Sequence, residues 1–170
     1  PGERVGTTAG GTVLGPGCGD NAGAALGLAM GAGDVSISIG TSGVVAAVTD
    51  TVVKDPTGTV TGFADATGRY LPLAVTLNGA QVLDAVRALL GVDFAEFDRL
   101  ALGAAPGAGG LTLVPYFAGE RTPNLPHATA SMLGLTLAGA TRENLARAAI
   151  EGLLCGLADG LAAIEALGVP

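Results

Sequence analysis

Residues 35–49 read Val-Ser-Ile-Ser-Ile-Gly-Thr-Ser-Gly-Val-Val-Ala-Ala-Val-Thr. The first five alternate apolar and polar at period two, as does much of 44–49, so both runs are expected to be strands. Gly40-Thr41-Ser42-Gly43 lies between them and closes a β-hairpin. A tight turn of this kind exposes consecutive N–H groups that can form a nest for an anion, and the hydroxyls of Thr41 and Ser42 add donors. An ordinary glycine-containing hairpin turn is the alternative. The chain has neither a GxxxxGK[ST] nor a GxGxxG phosphate loop.

Upstream, 11–16 is a short strand-like run that feeds Gly17-Cys-Gly-Asp-Asn21. From Asn21 to Met30 the residues are small and mostly apolar, which suits a helix packed closely against its neighbours. Asp20 stands at the mouth of that helix. The helix dipole and nearby N–H groups can keep such a carboxylate ionised, and glycines before it allow close backbone approach to a ligand. An ionised, positioned carboxylate can serve as general base on a hydroxyl. The competing role is a plain helix N-cap. Gly31-Ala32-Gly33-Asp34 ends the helix and marks a domain boundary or crossover.

Downstream, 50–68 is rich in Thr, Asp and Gly and is expected to be a surface excursion with a short strand near Val60. Leu71 to Leu77 is a further strand. Asn78-Gly79 opens a helix over 80–90 with Val82, Leu83, Val86, Leu89 and Leu90 at helical spacing, and Gly91 stops it. A second helix follows over 94–102, then a flexible loop at 104–110 and a buried strand at 111–114. In the loop after it, the bland role for Glu120 and Arg121 is a contact with each other. Thr141 is a good N-cap for a last helix running through Leu167, Glu143 favours its positive end, and Gly168 with Pro170 ends it. Strands and helices in mixed order make the class α/β.

The bulk numbers narrow the function. The chain of 170 residues is 49 % hydrophobic and only 14 % charged, with a net charge of −7. A low charge content suggests that some surface is covered by further chain, and the ends read as those of an internal fragment. One lysine and seven thinly spread arginines provide no basic patch for nucleic acid. The long uncharged run from Leu100 to Gly119 is broken by prolines and glycines, so no membrane span is expected. Cys18 and Cys155 have no metal or CxxC spacing and suit a reduced, cytoplasmic protein. His127 is alone, so it completes no triad with Ser42 and is expected at the surface or in packing.

Five stretches together resemble the FGGY carbohydrate kinases: Gly19-Asp-Asn-Ala22, Gly40-Thr-Ser-Gly43, Pro115-Tyr-Phe-Ala-Gly-Glu-Arg-Thr-Pro123, Gly134-Leu-Thr136 and Arg147-Ala-Ala-Ile-Glu-Gly152. Within that family the likeness is to the kinases that phosphorylate D-xylulose. The resemblance implies an actin-like, ribonuclease H-like fold in two domains, with residues 1–30 ending the first and 31–170 forming most of the second. It implies ATP and Mg²⁺ as cofactors and a small sugar substrate. Asp20 then matches the proton acceptor, Asn21 a sugar contact, Gly40, Thr41 and Ser42 the phosphate-contacting turn, and Gly79 a glycine beside the nucleotide; no residue here matches a metal ligand. Three alternatives stay open: another FGGY kinase acting on a different sugar or polyol, an actin-like ATP-binding module without sugar kinase activity, and a purely structural α/β domain that binds no ATP. The fragment alone is expected to be inactive, and a homodimer is compatible with the resemblance. Asn124-Leu-Pro-His127, where many relatives carry His directly after the Pro, bears on the choice of sugar.

Overall fold

The computed structural model describes residues 3–169, and its main feature is a four-stranded antiparallel sheet in the order β3-β4-β6-β5. The strands are β3 (Val35–Ile39), β4 (Gly43–Ala47), β5 (Val60–Thr61) and β6 (Leu73–Thr76). The hairpin at 35–49 forms as its alternation requires, with Ile39 opposite Gly43 and Val35 opposite Ala47. Val44 pairs with Val75 and Ala46 with Leu73, which carries the sheet on to β6. The excursion at 50–68 contributes β5 at Val60, where the sequence suggested a strand.

Pleating sends alternate residues of β4 and β6 to opposite faces, and each face finds its own helix. Val45, Ala47 and Ala74 meet Leu153, Leu157 and Ile164 of the long helix α4 (Arg142–Glu165). Gly160 lets α4 approach closely, since a Cβ there would already touch Ala74 and Val45 at 3.4 and 3.5 Å. On the other face Ala46, Val48, Leu71 and Leu73 meet Ala22 and Ala25 of α1 (Asp20–Gly27). The small residues of α1 read as a close-packing surface, and they are used as one.

The N-terminal half of α4 builds a second core. Ala146, Ala148 and Ala149 pack with Val82 and Val86 of α2 (Ala80–Leu90), Phe97, Leu100 and Ala101 of α3 (Phe94–Gly103), and Leu111 and Leu113. Burial of each large side chain contributes about 1.5–3 kcal/mol. The caps follow the sequence: Thr141 accepts from the N–H of Asn144 at 3.1 Å, Asp93 from that of Glu96 at 2.9 Å, and Gly91 ends α2 with φ 64°. Two small ribbons complete the fold, β1 (Gly6–Thr7) with β2 (Val13–Leu14) and β7 (Thr112–Val114) with β8 (Ser131–Leu133).

Two expectations are corrected. The segment 104–110 is no flexible loop: Ala108 is fully buried, residues 108–110 make a 3₁₀ turn, and the Glu151 carboxylate accepts the N–H of Gly107 at 3.0 Å. That contact spans 44 residues, so local composition could not announce it. The helix expected over 21–30 stops at Gly27, because Ala29 adopts a left-handed φ of 55° and turns the chain toward β3.

Candidate functional site

The turn at 40–42 is exposed, yet its backbone is fixed from beneath. Gly40 donates its N–H to the Ser42 carbonyl at 2.9 Å, while the carbonyls of Thr41 and Gly40 accept the N–H groups of Gly79 (3.0 Å) and Ala80 (2.7 Å). The carbonyls thus point to the start of α2, and the N–H groups of Thr41 and Ser42 have no protein acceptor among the described residues. Free, co-located N–H groups next to a helix N-terminus are the elements of an anion cradle.

Two glycines make the fit possible. A Cβ on Gly79 would lie 2.4 Å from the Gly40 carbonyl oxygen and 2.7 Å from the Ser42 carbonyl carbon. A Cβ on Gly43 would meet Leu157 at 2.6 Å and the Thr76 hydroxyl at 2.5 Å. The sequence singled out Gly40, Thr41, Ser42 and Gly79, and the fold brings all four together.

Asp20 is the first residue of α1, and the cap position falls to Gly19. Its Oδ1 accepts the N–H of Asn21 at 2.9 Å, with the Asn21 amide at 3.5 Å. Oδ2 receives no protein hydrogen bond among the described residues, so the carboxylate keeps an acceptor facing solvent. Asp20 and Asn21 line a shallow pocket of about 90 Å³ with Phe63, Ala64 and Leu71. The lining of this pocket includes none of Gly40, Thr41, Ser42 and Gly79. The carboxylate and the turn therefore flank the same sheet and do not share one pocket.

Sequence reading missed the group beneath the turn. Glu120 is 2 % exposed and has no cation partner among the described residues. Its Oε1 accepts N–H groups from Leu77 (2.6 Å) and Arg121 (2.8 Å), and its Oε2 accepts from the Asn78 amide at 2.9 Å. Asn78 also donates to the Gly119 carbonyl at 2.6 Å and accepts the N–H of Ala118 at 3.2 Å. The expected contact between the Glu120 and Arg121 side chains is replaced by one to the Arg121 backbone. The stretch Pro115–Pro123 carried the family resemblance, but nothing in its spacing placed Glu120 beneath the turn. Nearby, Tyr116 has its phenol pushed up, first by burial and then by the charges of Asp159 and Glu120, so it stays neutral. His127 is exposed, as expected.

Among the described residues no three His, Cys, Asp or Glu side chains converge on a common point. No helix among them is long and apolar enough to cross a membrane.

Comparison with known proteins gives this arrangement its context. The model for the FGGY family of carbohydrate kinases, C-terminal domain, matches residues 35–170. A xylulose kinase from Streptomyces rubiginosus is 45 % identical over 169 residues, covering 95 % of this chain and 33 % of that protein. A gluconokinase from Bacillus licheniformis is 31 % identical over 138 residues, or 74 % of this chain and 27 % of that protein. Among solved structures, the xylulose kinase from Bifidobacterium adolescentis superposes with a TM-score of 0.88 at 61 % identity, covering 95 % of this chain and 32 % of that one. A Plasmodium falciparum glycerol kinase with ADP, 20 % identical, has a TM-score of 0.73 over 90 % of this chain and 32 % of its own, and shows the shared fold alone. The chain spans about a third of the length of the curated relatives it matches.

Proposed function

The chain belongs to the FGGY family of carbohydrate kinases, with the actin-like α/β fold of its C-terminal domain, and on that premise we propose that the protein carrying it transfers the γ-phosphoryl group of ATP to a hydroxyl of D-xylulose. The observation that carries the reading is the 40–42 turn, whose carbonyls are engaged by Gly79 and Ala80 while its N–H groups stay free. The similarity to xylulose kinases over 95 % of the chain supports the choice of sugar.

In this reading residues 1–30 end one domain and 31–170 form most of a second, with the substrates between them. The N–H groups of Thr41 and Ser42 hold phosphate oxygens, Gly79 lets the nucleotide approach the backbone, and Asn21 orients the sugar. Asp20 takes the proton from the attacking hydroxyl through its free Oδ2. The hydroxyl oxygen forms the new P–O bond as the bond from the γ-phosphorus to the ADP oxygen breaks. Such positioned base catalysis contributes about 10²–10⁴ in rate. Mg²⁺ accompanying the ATP would neutralise the charge of its phosphates. The Asp20 pocket and the turn share no lining residue, so the substrates would span both. The likeness to a gluconokinase favours a second substrate within the same family. A cytoplasmic location suits both.

ADP formation by the protein carrying this chain, measured with D-xylulose, gluconate, glycerol and no acceptor, tests the proposal. Turnover stimulated most by D-xylulose supports it. A larger response to another acceptor replaces the substrate, and turnover indifferent to every acceptor leaves an actin-like ATPase module instead.

A further inference from the structure

The strand-to-helix crossover at 76–80 carries the turn on one side and is held on the other by a single buried carboxylate. On the turn side, Gly79 and Ala80 bind the Thr41 and Gly40 carbonyls. Within the crossover, the Thr76 hydroxyl donates to the Asn78 carbonyl at 3.0 Å. On the far side stands Glu120, which accepts from the Leu77 N–H and the Asn78 amide. Its loop is itself fixed, since Glu120 and Leu125 exchange both backbone hydrogen bonds at 2.9 Å.

A carboxylate that is 2 % exposed without a cation partner is costly unless N–H donors satisfy it. Here they do, and the donors come from two segments about 40 residues apart. Glutamine cannot replace it in place. Its NH₂ would face either the Leu77 and Arg121 N–H groups or the Asn78 amide, all donors. Asn78 cannot flip to relieve this, because its two ends are already fixed by Gly119 and Ala118.

We infer that Glu120 is a positioning residue for nucleotide binding: its carboxylate, through Leu77 and Asn78, sets the place of Gly79 and thereby the phosphate-facing N–H groups of Thr41 and Ser42. The inference rests on the kinase reading for its substrate, but its geometry concerns the nucleotide alone. Glu120 touches neither the turn nor a reacting atom. A merely structural role would lower stability and spare the balance between the two substrates.

The test uses Glu120→Gln and Asn78→Ala in the protein carrying this chain, with melting temperature, ADP affinity by calorimetry, and KM for ATP and for D-xylulose. Glu120→Gln should weaken ADP binding and raise the KM for ATP about tenfold or more while the KM for D-xylulose changes less than about twofold. Asn78→Ala, which removes the amide's hydrogen bond to Glu120 together with those to Gly119 and Ala118 but spares the N–H donors of Leu77 and Arg121, should shift the same quantities in the same direction, and it decides the matter if Glu120→Gln does not fold. Unchanged ADP affinity in a folded variant, or equal rises in both KM values, overturns the inference. Should the unmodified protein bind ADP and ignore every sugar, the substrate proposal falls; loss of ADP affinity in Glu120→Gln would still support the positioning role. A protein that does not bind ADP at all refutes both.

Discussion

Replacing Gly79 by alanine adds one methyl group at the closest approach between α2 and the turn. That carbon would sit 2.4 Å from the Gly40 carbonyl oxygen and 2.7–2.8 Å from the Ser42 carbonyl, all backbone atoms. Ordinary contact begins near 3.4 Å, so turn and helix must separate by roughly 1 Å. No side chain can rotate away, and the retreat lengthens the hydrogen bonds from Gly79 and Ala80 to Thr41 and Gly40. Overpacking of this kind costs typically about 1–3 kcal/mol of stability. The functional cost is larger, since a displacement of about 1 Å in a positioning element can remove as much as 10²-fold in rate. Gly27→Ala is the control, because a Cβ there meets nothing within 4 Å. Thermal melts and ATP-dependent turnover at saturating sugar would be measured for both. Gly79→Ala should lower kcat/KM for ATP about 10- to 100-fold with a modest fall in melting temperature, and Gly27→Ala should leave both near the unmodified values. A folded Gly79→Ala protein with unaltered ATP kinetics would refute the assignment of the turn.

Other consequences concern the frame. Gly152→Ala would place a Cβ 2.2 Å from the Leu113 carbonyl, so it should destabilise by about 1–3 kcal/mol although alanine is the better helix former, visible as a lower denaturation midpoint. Leu157 is 1 % exposed, packs on Val45 and Ala74 and reaches the Gly43 backbone; Leu157→Ala should cost about 2–5 kcal/mol in denaturant titrations. The Glu151 carboxyl is held below the usual carboxylate range by the Arg147 guanidinium and then by the Gly107 N–H. A depressed folded value means that this stabilisation is present above the unfolded carboxyl value, about 4.3, and is lost as pH falls through the folded one. Glu151→Gln should therefore be less stable than the unmodified protein at pH 7, and the gap should close in melts run toward pH 3.

Much of this was legible because it is local. The hairpin follows from alternation at 35–49, α2 from the spacing of Val82 and Val86 before Gly91, and α4 from Thr141 and the apolar repeat behind it. The same local grammar singled out Gly40, Thr41 and Ser42, and the family resemblance added Gly79; their meeting needs only a hairpin and the next strand-to-helix turn. It failed where partners are distant. Glu120 read as a partner for Arg121, yet it is buried and bound by donors at Leu77 and Asn78, more than 40 residues earlier. The loop at 104–110 read as mobile because glycine and alanine carry no visible anchor, and its anchor is Glu151 on α4. Asp20 was visible as a candidate base, but no pattern of spacing could say how far it stands from the turn.

The central claim is tested most directly by Asp20→Asn in the protein carrying this chain, assayed for D-xylulose-dependent ADP release beside its ADP affinity and melting temperature. The amide is nearly isosteric and keeps an oxygen for the Asn21 N–H, but it cannot take a proton. The account predicts turnover reduced about 10²- to 10⁴-fold with ADP affinity and melting temperature unchanged. Full turnover in the variant would contradict it and return Asp20 to a structural place at the start of α1.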